Sequence, residues 1–121
     1  MKEIYASYTK SLERLKEILR ADKTVANRDS AIKRFEFTTE LAWKLIQVYL
    51  REQRIVCRSP KECLREAYAF GLIEDDDRWL QMIDDRNITV HTYNETTADE
   101  VYSRLSMYLE LFEILKLKIP M

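Results

Sequence analysis

The stretch that decides the fold is TADEVYSRLSMYLELFEILKLKI, residues 97–119. Its apolar side chains recur at alternating steps of four and three, which places them on one helical face as a heptad seam. A capping box at residues 97–100 predicts the start of this helix, and Pro120 predicts its end. The seam comprises Val101, Leu105, Tyr108, Phe112, Leu115 and Ile119.

Apolar spacing predicts further long helices upstream of this stretch. A first helix over about residues 2–21 carries one apolar stripe. A second begins near Asn27 or Asp29, runs to about Glu52 and carries two adjoining stripes. Because two stripes need more than one neighbour, we expect the second helix to be the most buried. Another long helix is expected over residues 76–91.

A short helix is predicted between the second and the last two long helices. Ser59 can cap its start, Pro60 suits its first turn, and Glu62 completes a capping box. Gly71 can end it in a left-handed conformation. The apolar stripes of the chain also include three aromatic or aliphatic side chains that we expect to be buried, namely Phe37, Tyr68 and Leu80.

Composition indicates an all-α domain. The chain of 121 residues has one glycine and two prolines, far fewer than a fold built on tight β-turns needs. Its length suits one domain, residues 1–121, with one core. We predict an antiparallel four-helix up-down bundle with one extra short helix. The net charge of −1 argues against a strongly basic nucleic-acid platform, but not against local basic patches.

Other sequence features bear on location and on metal binding. Cys57 and Cys63 lack zinc-site spacing, and we expect two reduced thiols in a cytoplasmic protein. The first residues lack the apolar run of a signal peptide, and no stretch is long enough for a membrane span. The acidic run at residues 74–77 is expected to favour a helix start rather than bind a metal. We predict no cofactor.

The candidate site lies near the end of the predicted fourth helix. It contains Arg86, Asn87 and His91, which is the only histidine in the chain. Leu80, Ile83, Asn87 and His91 are spaced three, four and four, and Arg86 flanks that line. The spacing therefore predicts that the polar trio continues the apolar face of the helix.

These residue types suit RNA cleavage without a metal. The histidine has a free pKa near neutrality for proton transfer, and the arginine fork matches a phosphate. Asn87 could orient either group. Because a two-histidine scheme needs a second histidine and each chain has one, any nuclease activity should require a symmetric homodimer.

A purely structural role is the competing interpretation. A histidine near a helix C-terminus is stabilised by the helix dipole, and Arg86 could pair with Asp84 or Asp85. On the second helix, Glu40 is explained by a helical pair with Lys44. Glu36 lies between two phenylalanines, so we keep it as a candidate supporting residue of the site.

Several motifs together resemble a known family. Residues 86–93 (RNITVHTY) are similar to the Arg-x4-His-x-Tyr motif of HEPN-domain proteins. Residues 32–44 (IKRFEFTTELAWK), 59–67 (SPKECLREA) and 91–95 (HTYNE) look like the nucleotidyltransferase-substrate-binding branch of that superfamily. In order, these segments span roughly residues 30–97, which is far more specific than the short motif alone.

The resemblance implies a dimeric helical bundle encoded beside a minimal nucleotidyltransferase. In toxin–antitoxin members the HEPN protein is a metal-independent endoribonuclease, and its partner neutralises it by transferring AMP to the motif tyrosine. Carried onto this chain, Arg86 binds phosphate, His91 is the acid or base, Asn87 orients, and Tyr93 accepts AMP.

The resemblance leaves two alternatives open. In one, the protein is a non-catalytic subunit that binds a nucleotide or other substrate for a two-component nucleotidyltransferase. In the other, it is a structural dimer that retains the motif without using it. The three readings differ in whether RNA is cleaved and in whether the motif residues matter to partner binding.

Overall fold

The computed structural model describes residues 1–120, so Met121 of the predicted domain lies outside the described residues. This part of the chain forms five α-helices and no strand, which confirms the all-α prediction. None of these helices combines the length and the apolar character needed to cross a membrane. The helices are α1 (Lys2–Arg20), α2 (Val25–Glu52), α3 (Pro60–Phe70), α4 (Arg78–His91) and α5 (Glu95–Lys118).

Helices α1 and α5 run antiparallel. Near the start of α1, Tyr5 donates a hydrogen bond to the carbonyl of Lys116, near the end of α5, at 3.2 Å. One turn further along α1, Tyr8 donates to the carbonyl of Phe112 at 2.7 Å. The partner number falls as the donor number rises, which fixes the opposite directions of the two helices.

Helices α2 and α4 are also antiparallel, and they complete the bundle. Asp29, early in α2, contacts Tyr93 just beyond the end of α4, whereas Glu40, further along α2, contacts Arg86. α2 packs against each of the other four helices, while α1 and α4 occupy opposite corners of the bundle. The predicted antiparallel four-helix bundle is therefore confirmed, with α3 packed against α2 and α4.

The core forms around the heptad seam of α5. All six seam residues are buried, as the spacing predicted. The ring of Phe35 from α2 stacks on Tyr108 with centroids 5.5 Å apart, and Tyr8 from α1 meets Phe112 edge-on at 6.3 Å. Helices from both sides thus pack their aromatic side chains against the seam, which fixes the rotation of α5 in the bundle.

The predicted starts of two helices were wrong by a few residues. α2 begins at Val25, and the Thr24 side chain caps it by accepting from the Asn27 amide at 3.0 Å. α5 begins at Glu95, capped by Asn94, so the predicted box at residues 97–100 lies inside its first turns. In both places several residues could serve as caps, and the structure uses the one nearer the N-terminus.

The predicted boundaries of α3 were correct. The Ser59 hydroxyl accepts from the Glu62 amide at 3.2 Å, and Pro60 opens the helix. The Glu62 carboxylate accepts from the amide of Arg58 rather than from that of Ser59, which varies the usual capping box. Gly71 ends the helix with φ of 93°, a left-handed conformation that glycine adopts without steric cost.

The prediction of two reduced thiols was wrong. Cys57, in the connection before α3, and Cys63, in the first turns of α3, form a disulfide, and both are buried. The capped turn at the start of α3 brings the two residues together, with their Cα atoms 5.1 Å apart. The bond closes a short loop that contains the N-cap of α3.

Three side chains that we expected in the core are substantially exposed. Phe37, Tyr68 and Leu80 are 48%, 51% and 40% exposed, respectively. Each lies on the edge of an apolar stripe whose middle is buried. Because a four-helix bundle covers only part of the circumference of each helix, stripe width overestimates the covered face.

Candidate active site at the end of the fourth helix

The segment from Arg86 to Tyr93 forms the end of α4 and its turn into α5. α4 ends at His91, and the extended backbone of Thr92 leads into the connection that holds Tyr93. Asn94 then caps α5. This short turn fixes Tyr93 between two antiparallel helices, close to the N-terminal part of α2.

The spacing predicted that Arg86, Asn87 and His91 continue the buried face of α4, and this prediction was wrong. Arg86 and Asn87 are half-buried at the edge of that face, and His91 is exposed. The line through Leu80, Ile83, Asn87 and His91 was misleading because its first member is itself exposed. The buried face consists of Trp79, Met82, Ile83, Asp85 and Thr89.

Arg86 is held in place by a carboxylate from α2. Its Nη2 donates to Glu40 Oε2 at 3.0 Å, and its Nη1 donates to the side-chain oxygen of Asn87 at 3.0 Å. The Arg86 side chain remains 29% exposed. The guanidinium is therefore oriented by two neighbours, and its Nε is buried without a hydrogen-bond partner among the described residues.

Glu40 has a larger role than the helical pair we predicted. The pair with Lys44 exists, at 3.2 Å, but Glu40 also accepts from the indole of Trp43 at 3.1 Å. Burial raises the pKa of the Glu40 carboxyl, yet hydrogen bonds from Trp43 and Lys44 and the charge of Arg86 outweigh this and lower it. Glu40 is consequently an anion at neutral pH and a firm partner for Arg86.

Sequence reasoning missed the contact between Glu40 and Arg86. The signal that could have found it was the position of Glu40 on α2, on a line of its own with Glu36 and Lys44 that borders an apolar stripe. A carboxylate at such a position is expected to meet a cation from another helix. Our alternative partners for Arg86 were wrong, because Asp84 pairs with Lys61 and Asp85 with Arg104.

Asp85 belongs to a separate buried cluster on the α5 side of α4. Arg104 donates to both of its carboxylate oxygens, at 2.7 and 2.9 Å, and the Tyr108 hydroxyl donates at 2.5 Å. Burial, followed by the bond to Asp85, raises the pKa of Tyr108. This cluster joins α4 to the seam of α5 and stabilises the helix that carries the candidate site.

Tyr93 is 47% exposed, and its hydroxyl is bonded to α2. The hydroxyl donates to Asp29 Oδ1 at 2.5 Å. Arg28 fixes the same oxygen, from Nε at 3.1 Å and from Nη2 at 3.0 Å. Partial burial and the hydrogen bond to Asp29 raise the pKa of Tyr93 to about 12. The phenol is thus neutral and oriented at neutral pH.

Glu36 lies with Tyr93 rather than with Arg86. It lines an open groove of about 340 Å³ between α2 and the end of α4, together with Asp29, Lys33 and Tyr93. Its only close charge contact within the described residues is Lys33, at 3.6 Å. The structure thus divides the candidate residues into two groups, Arg86 with Asn87 and Glu40, and Tyr93 with Asp29 and Glu36.

The acidic run before α4 is engaged in an ion pair. The Asp76 carboxylate accepts from the backbone amide and the guanidinium of Arg78, at 3.0 and 2.6 Å. Hydrogen bonds from Arg78 outweigh burial and lower the pKa of Asp76. Within residues 1–120, no three histidine, cysteine or acidic side chains are grouped in a way that would hold a metal ion.

Comparison with known proteins identifies relatives along nearly the whole chain. A family model described as nucleotidyltransferase substrate binding protein like matches residues 3–120. A Haemophilus influenzae protein named probable ribonuclease HepT is 39% identical over an alignment of 84 residues that covers 65% of this chain. The matched part spans 58% of the length of that relative.

Solved structures share the fold. A Thermus thermophilus protein is 42% identical, with a TM-score of 0.86 and coverage of 93% of this chain and 99% of its own. A Haemophilus influenzae substrate-binding domain of a nucleotidyltransferase is 28% identical, with a TM-score of 0.69 and coverage of 97% and 94%. The tri-AMPylated Shewanella oneidensis HEPN toxin, solved with its MNT antitoxin, is 22% identical with a TM-score of 0.78 and coverage of 97% and 93%, a likeness of fold.

Proposed function

The chain belongs to the nucleotidyltransferase substrate binding protein like family, and from this premise we propose that it is a metal-independent endoribonuclease toxin of the HEPN superfamily. The observation that carries the proposal is the fixed position of Arg86 beside Asn87, with His91 exposed at the end of the same helix. The name of the ribonuclease relative supports the same activity.

Each residue has a defined task in this reaction. Arg86 binds the scissile phosphate and stabilises the charge that develops on it, since guanidinium donates in pairs and stays charged. His91 transfers protons to or from the ribose and leaving oxygens. Asn87 accepts a hydrogen bond from Arg86 Nη1 and thereby orients the guanidinium.

We propose that the active form is a homodimer. A single chain supplies one histidine, whereas separate acid and base groups need two. The exposed side of α4 carries Leu80 and Ile88, which are 40% and 44% exposed and lie within about 60° of His91 around the helix axis. Contact between two α4 helices across a two-fold axis would cover these side chains and bring the two His91 residues together.

Growth and cleavage assays test the ribonuclease proposal. Expression of the chain without a partner should arrest growth, and His91→Ala and Arg86→Ala should each relieve the arrest. Arg65→Ala, which removes an exposed arginine on α3, is the matched control and should arrest growth like the wild type. Purified wild-type dimer should cleave RNA in the presence of EDTA, and a lack of both arrest and cleavage would contradict the proposal.

We also propose that a minimal nucleotidyltransferase encoded nearby neutralises the protein by transferring AMP to Tyr93. The exposure of the phenol and its place beside the motif histidine support this assignment. The Shewanella oneidensis fold relative is itself an AMPylated toxin in complex with its antitoxin. RNA and ATP are both cytoplasmic, so the proposed location is the cytoplasm.

Mass spectrometry tests the modification. Incubation with ATP, Mg²⁺ and the neighbouring nucleotidyltransferase should add the mass of AMP to the peptide that contains Tyr93. Tyr93→Phe should prevent the addition, while Tyr102→Phe, a change on α5, should not. AMP found on another peptide with Tyr93 unmodified would exclude this tyrosine as the acceptor.

A second candidate function is a non-catalytic subunit that binds a nucleotide or other substrate for the nucleotidyltransferase. The observation that favours it is the pair between Arg86 and Glu40, because the carboxylate offsets the positive charge with which Arg86 would stabilise the transition state of cleavage. This reading predicts co-purification with the nucleotidyltransferase and no RNA cleavage by the pure dimer. Cleavage that His91→Ala abolishes would exclude it.

A further inference from the structure

We propose that Asp29 is a further catalytic residue of the AMP transfer, which orients the Tyr93 hydroxyl and accepts its proton as the bond to phosphorus forms. The inference rests on the proposed modification of Tyr93 and concerns the chemistry of the acceptor. It starts from the hydrogen bond of 2.5 Å between the Tyr93 hydroxyl and Asp29 Oδ1.

The geometry of this bond suits a nucleophilic phenol. The hydroxyl proton is directed at the Asp29 carboxylate, which leaves the lone pairs of the phenolic oxygen to face away from α2. The Tyr93 side chain is 47% exposed and lies at the turn between two helices, so a nucleotide held by a second protein can approach it. A base within hydrogen-bond reach of the proton is the first requirement for general base catalysis.

Arg28 fixes the carboxylate from the protein side. Its side chain is 3% exposed, and two of its nitrogens donate to Asp29 Oδ1. Its Nη1 also donates to Glu95 at 2.7 Å and to Asp99 at 3.2 Å, both on α5. Asp29 is therefore held by a buried cation that is itself fixed by two carboxylates of α5, so the Asp29 carboxylate keeps its position while Tyr93 reacts.

The proton moves during the reaction and not before it. Partial burial and the bond to Asp29 raise the pKa of Tyr93 to about 12, and hydrogen bonds from Tyr93 and Arg28 lower the pKa of Asp29. The neutral phenol is therefore the resting form. As the phenolic oxygen bonds to phosphorus its proton becomes strongly acidic, and the carboxylate beside it is then the nearest acceptor.

The transfer balances with ATP as the co-reactant. The phenolic oxygen of Tyr93 attacks the α-phosphorus of ATP and forms a P–O bond. The bond from that phosphorus to the oxygen bridging to the β-phosphate breaks, and pyrophosphate leaves. The phenolic proton passes to the Asp29 carboxylate and then to water, since the Asp29 side chain is 44% exposed.

Several other charged groups surround this pair and bear on its titration. Glu36 is the other carboxylate of the groove that Tyr93 lines, and the structure gives it a contact with Lys33 and none with the Tyr93 hydroxyl. The groups to consider are Arg28, Lys33 and Glu36 on α2, Glu95 and Asp99 on α5, Lys23 paired with Asp99, and His91 at the end of α4.

The test compares AMP transfer to four forms of the full-length chain. Wild type, Asp29→Asn, Glu95→Gln and Tyr93→Phe are incubated with ATP, Mg²⁺ and the neighbouring nucleotidyltransferase, and intact mass is followed with time. The amide introduced by Asp29→Asn can still accept a hydrogen bond from Tyr93 but is a far weaker base, so we expect transfer about 100-fold slower. Glu95→Gln removes another carboxylate from Arg28 without touching Tyr93. Because Nε and Nη2 of Arg28 still donate to Asp29, transfer should slow far less than in Asp29→Asn.

The pH dependence of the transfer rate distinguishes the loss of a catalytic base from a structural change caused by the substitution. Hydroxide can replace the missing base, so the ratio of wild-type to Asp29→Asn rates should fall as pH rises from 7 to 10. The nucleotidyltransferase's own pH profile cancels in this ratio. Asp29→Glu should restore part of the rate. Thermal unfolding should show similar, small shifts for Asp29→Asn and Glu95→Gln, because each removes one partner of Arg28.

Two results would overturn the role of Asp29. One is transfer to Asp29→Asn at the wild-type rate at every pH. The other is an equal slowing in Glu95→Gln, which would assign the effect to the Arg28 cluster as a whole. A wild-type chain that gains no AMP would instead contradict the proposed modification of Tyr93, and the role of Asp29 with it.

Discussion

Asp85 and Arg86 are adjacent on α4, yet their side chains form two very different ion pairs. Asp85 is buried against α5, where Arg104 and Tyr108 saturate its carboxylate. Arg86 lies about 100° further around the helix, at an edge facing α2, where Glu40 binds it and leaves it partly exposed. The Asp85 side chain is 5% exposed and holds α4 in place, whereas the carboxylate that binds Arg86, that of Glu40, is 32% exposed.

One helix can therefore carry an ion pair that stabilises the fold next to another that belongs to the candidate site. A carboxylate whose two oxygens accept hydrogen bonds inside the fold contributes to stability but is not available to a substrate. A charge at the edge contributes little to stability, yet it is positioned by a partner from another helix. Substitutions in the two pairs should therefore affect different measurements.

The largest expected effect is on stability, from Asp85→Ala. The change leaves the Tyr108 hydroxyl and the Arg104 guanidinium without their partner, and breaking a buried pair in this way costs about 3 kcal/mol of unfolding free energy. Urea unfolding followed by circular dichroism measures the loss. Asp84→Ala is the matched control, because its pair with Lys61 is exposed and is worth less than about 0.5 kcal/mol. Equal losses in the two variants would contradict the contrast.

The second prediction concerns the stability that the disulfide adds by closing the loop of residues 57–63, which lies beside Arg86. Pro60, inside the loop that the Cys57–Cys63 disulfide closes, lines the same small cleft as Glu40 and Arg86. The double variant Cys57→Ser/Cys63→Ser should lose about 2 kcal/mol of unfolding free energy, since a short closed loop restricts the unfolded chain. Chemical unfolding without reductant measures this loss. Added dithiothreitol should lower the unfolding free energy of the wild type but not that of the double variant. A wild type insensitive to reductant would show that this bond adds no stability.

The buried face of α5 was predictable from spacing, and contacts between helices were not. The six seam residues of α5 are buried as predicted, because a heptad repeat requires only that some neighbour cover it. The pair between Glu40 and Arg86 depends on how α2 and α4 are rotated against each other, which spacing within one helix does not contain. The same limit explains Phe37, which lies on a stripe but outside the covered face.

For the site residues, too, a local sequence pattern was predictable and contacts between distant segments were not. Arg86, Asn87, His91 and Tyr93 came from a local motif and from family resemblance, and the structure places them at the end of one helix and its turn. Asp29 entered the sequence analysis only as a helix cap, because nothing in the sequence near it points to Tyr93, 64 positions away. The disulfide was missed because the loop geometry that brings the two cysteines together is not visible in their spacing.

The third prediction concerns Glu40→Gln, which should affect RNA cleavage rather than the unfolding free energy. Both partners of this pair are about one-third exposed, so its loss should cost less than about 1 kcal/mol of unfolding free energy. Arg86 would lose its fixed orientation, and RNA cleavage by the purified dimer should slow about tenfold. Lys44→Gln is the control, because it removes the outer partner of Glu40 and leaves the bond to Arg86 in place. A stability loss as large as that of Asp85→Ala would remove the distinction between the two pairs.

The smallest expected effect is a pH dependence carried by Glu40. Burial raises its pKa, but bonds from Trp43 and Lys44 and the charge of Arg86 outweigh burial and lower the pKa below the ordinary glutamate value of 4.5. The folded state therefore holds this proton less tightly than the unfolded state does. The resulting stabilisation is fully present above pH 4.5 and is lost as pH falls through the lower, folded-state pKa. Urea unfolding of wild type and Glu40→Gln between pH 7 and 3 should show their difference shrinking as the solution becomes acidic. A difference that stayed constant over this range would mean that the Glu40 charge contributes nothing to folding, and that its place beside Arg86 serves the site alone.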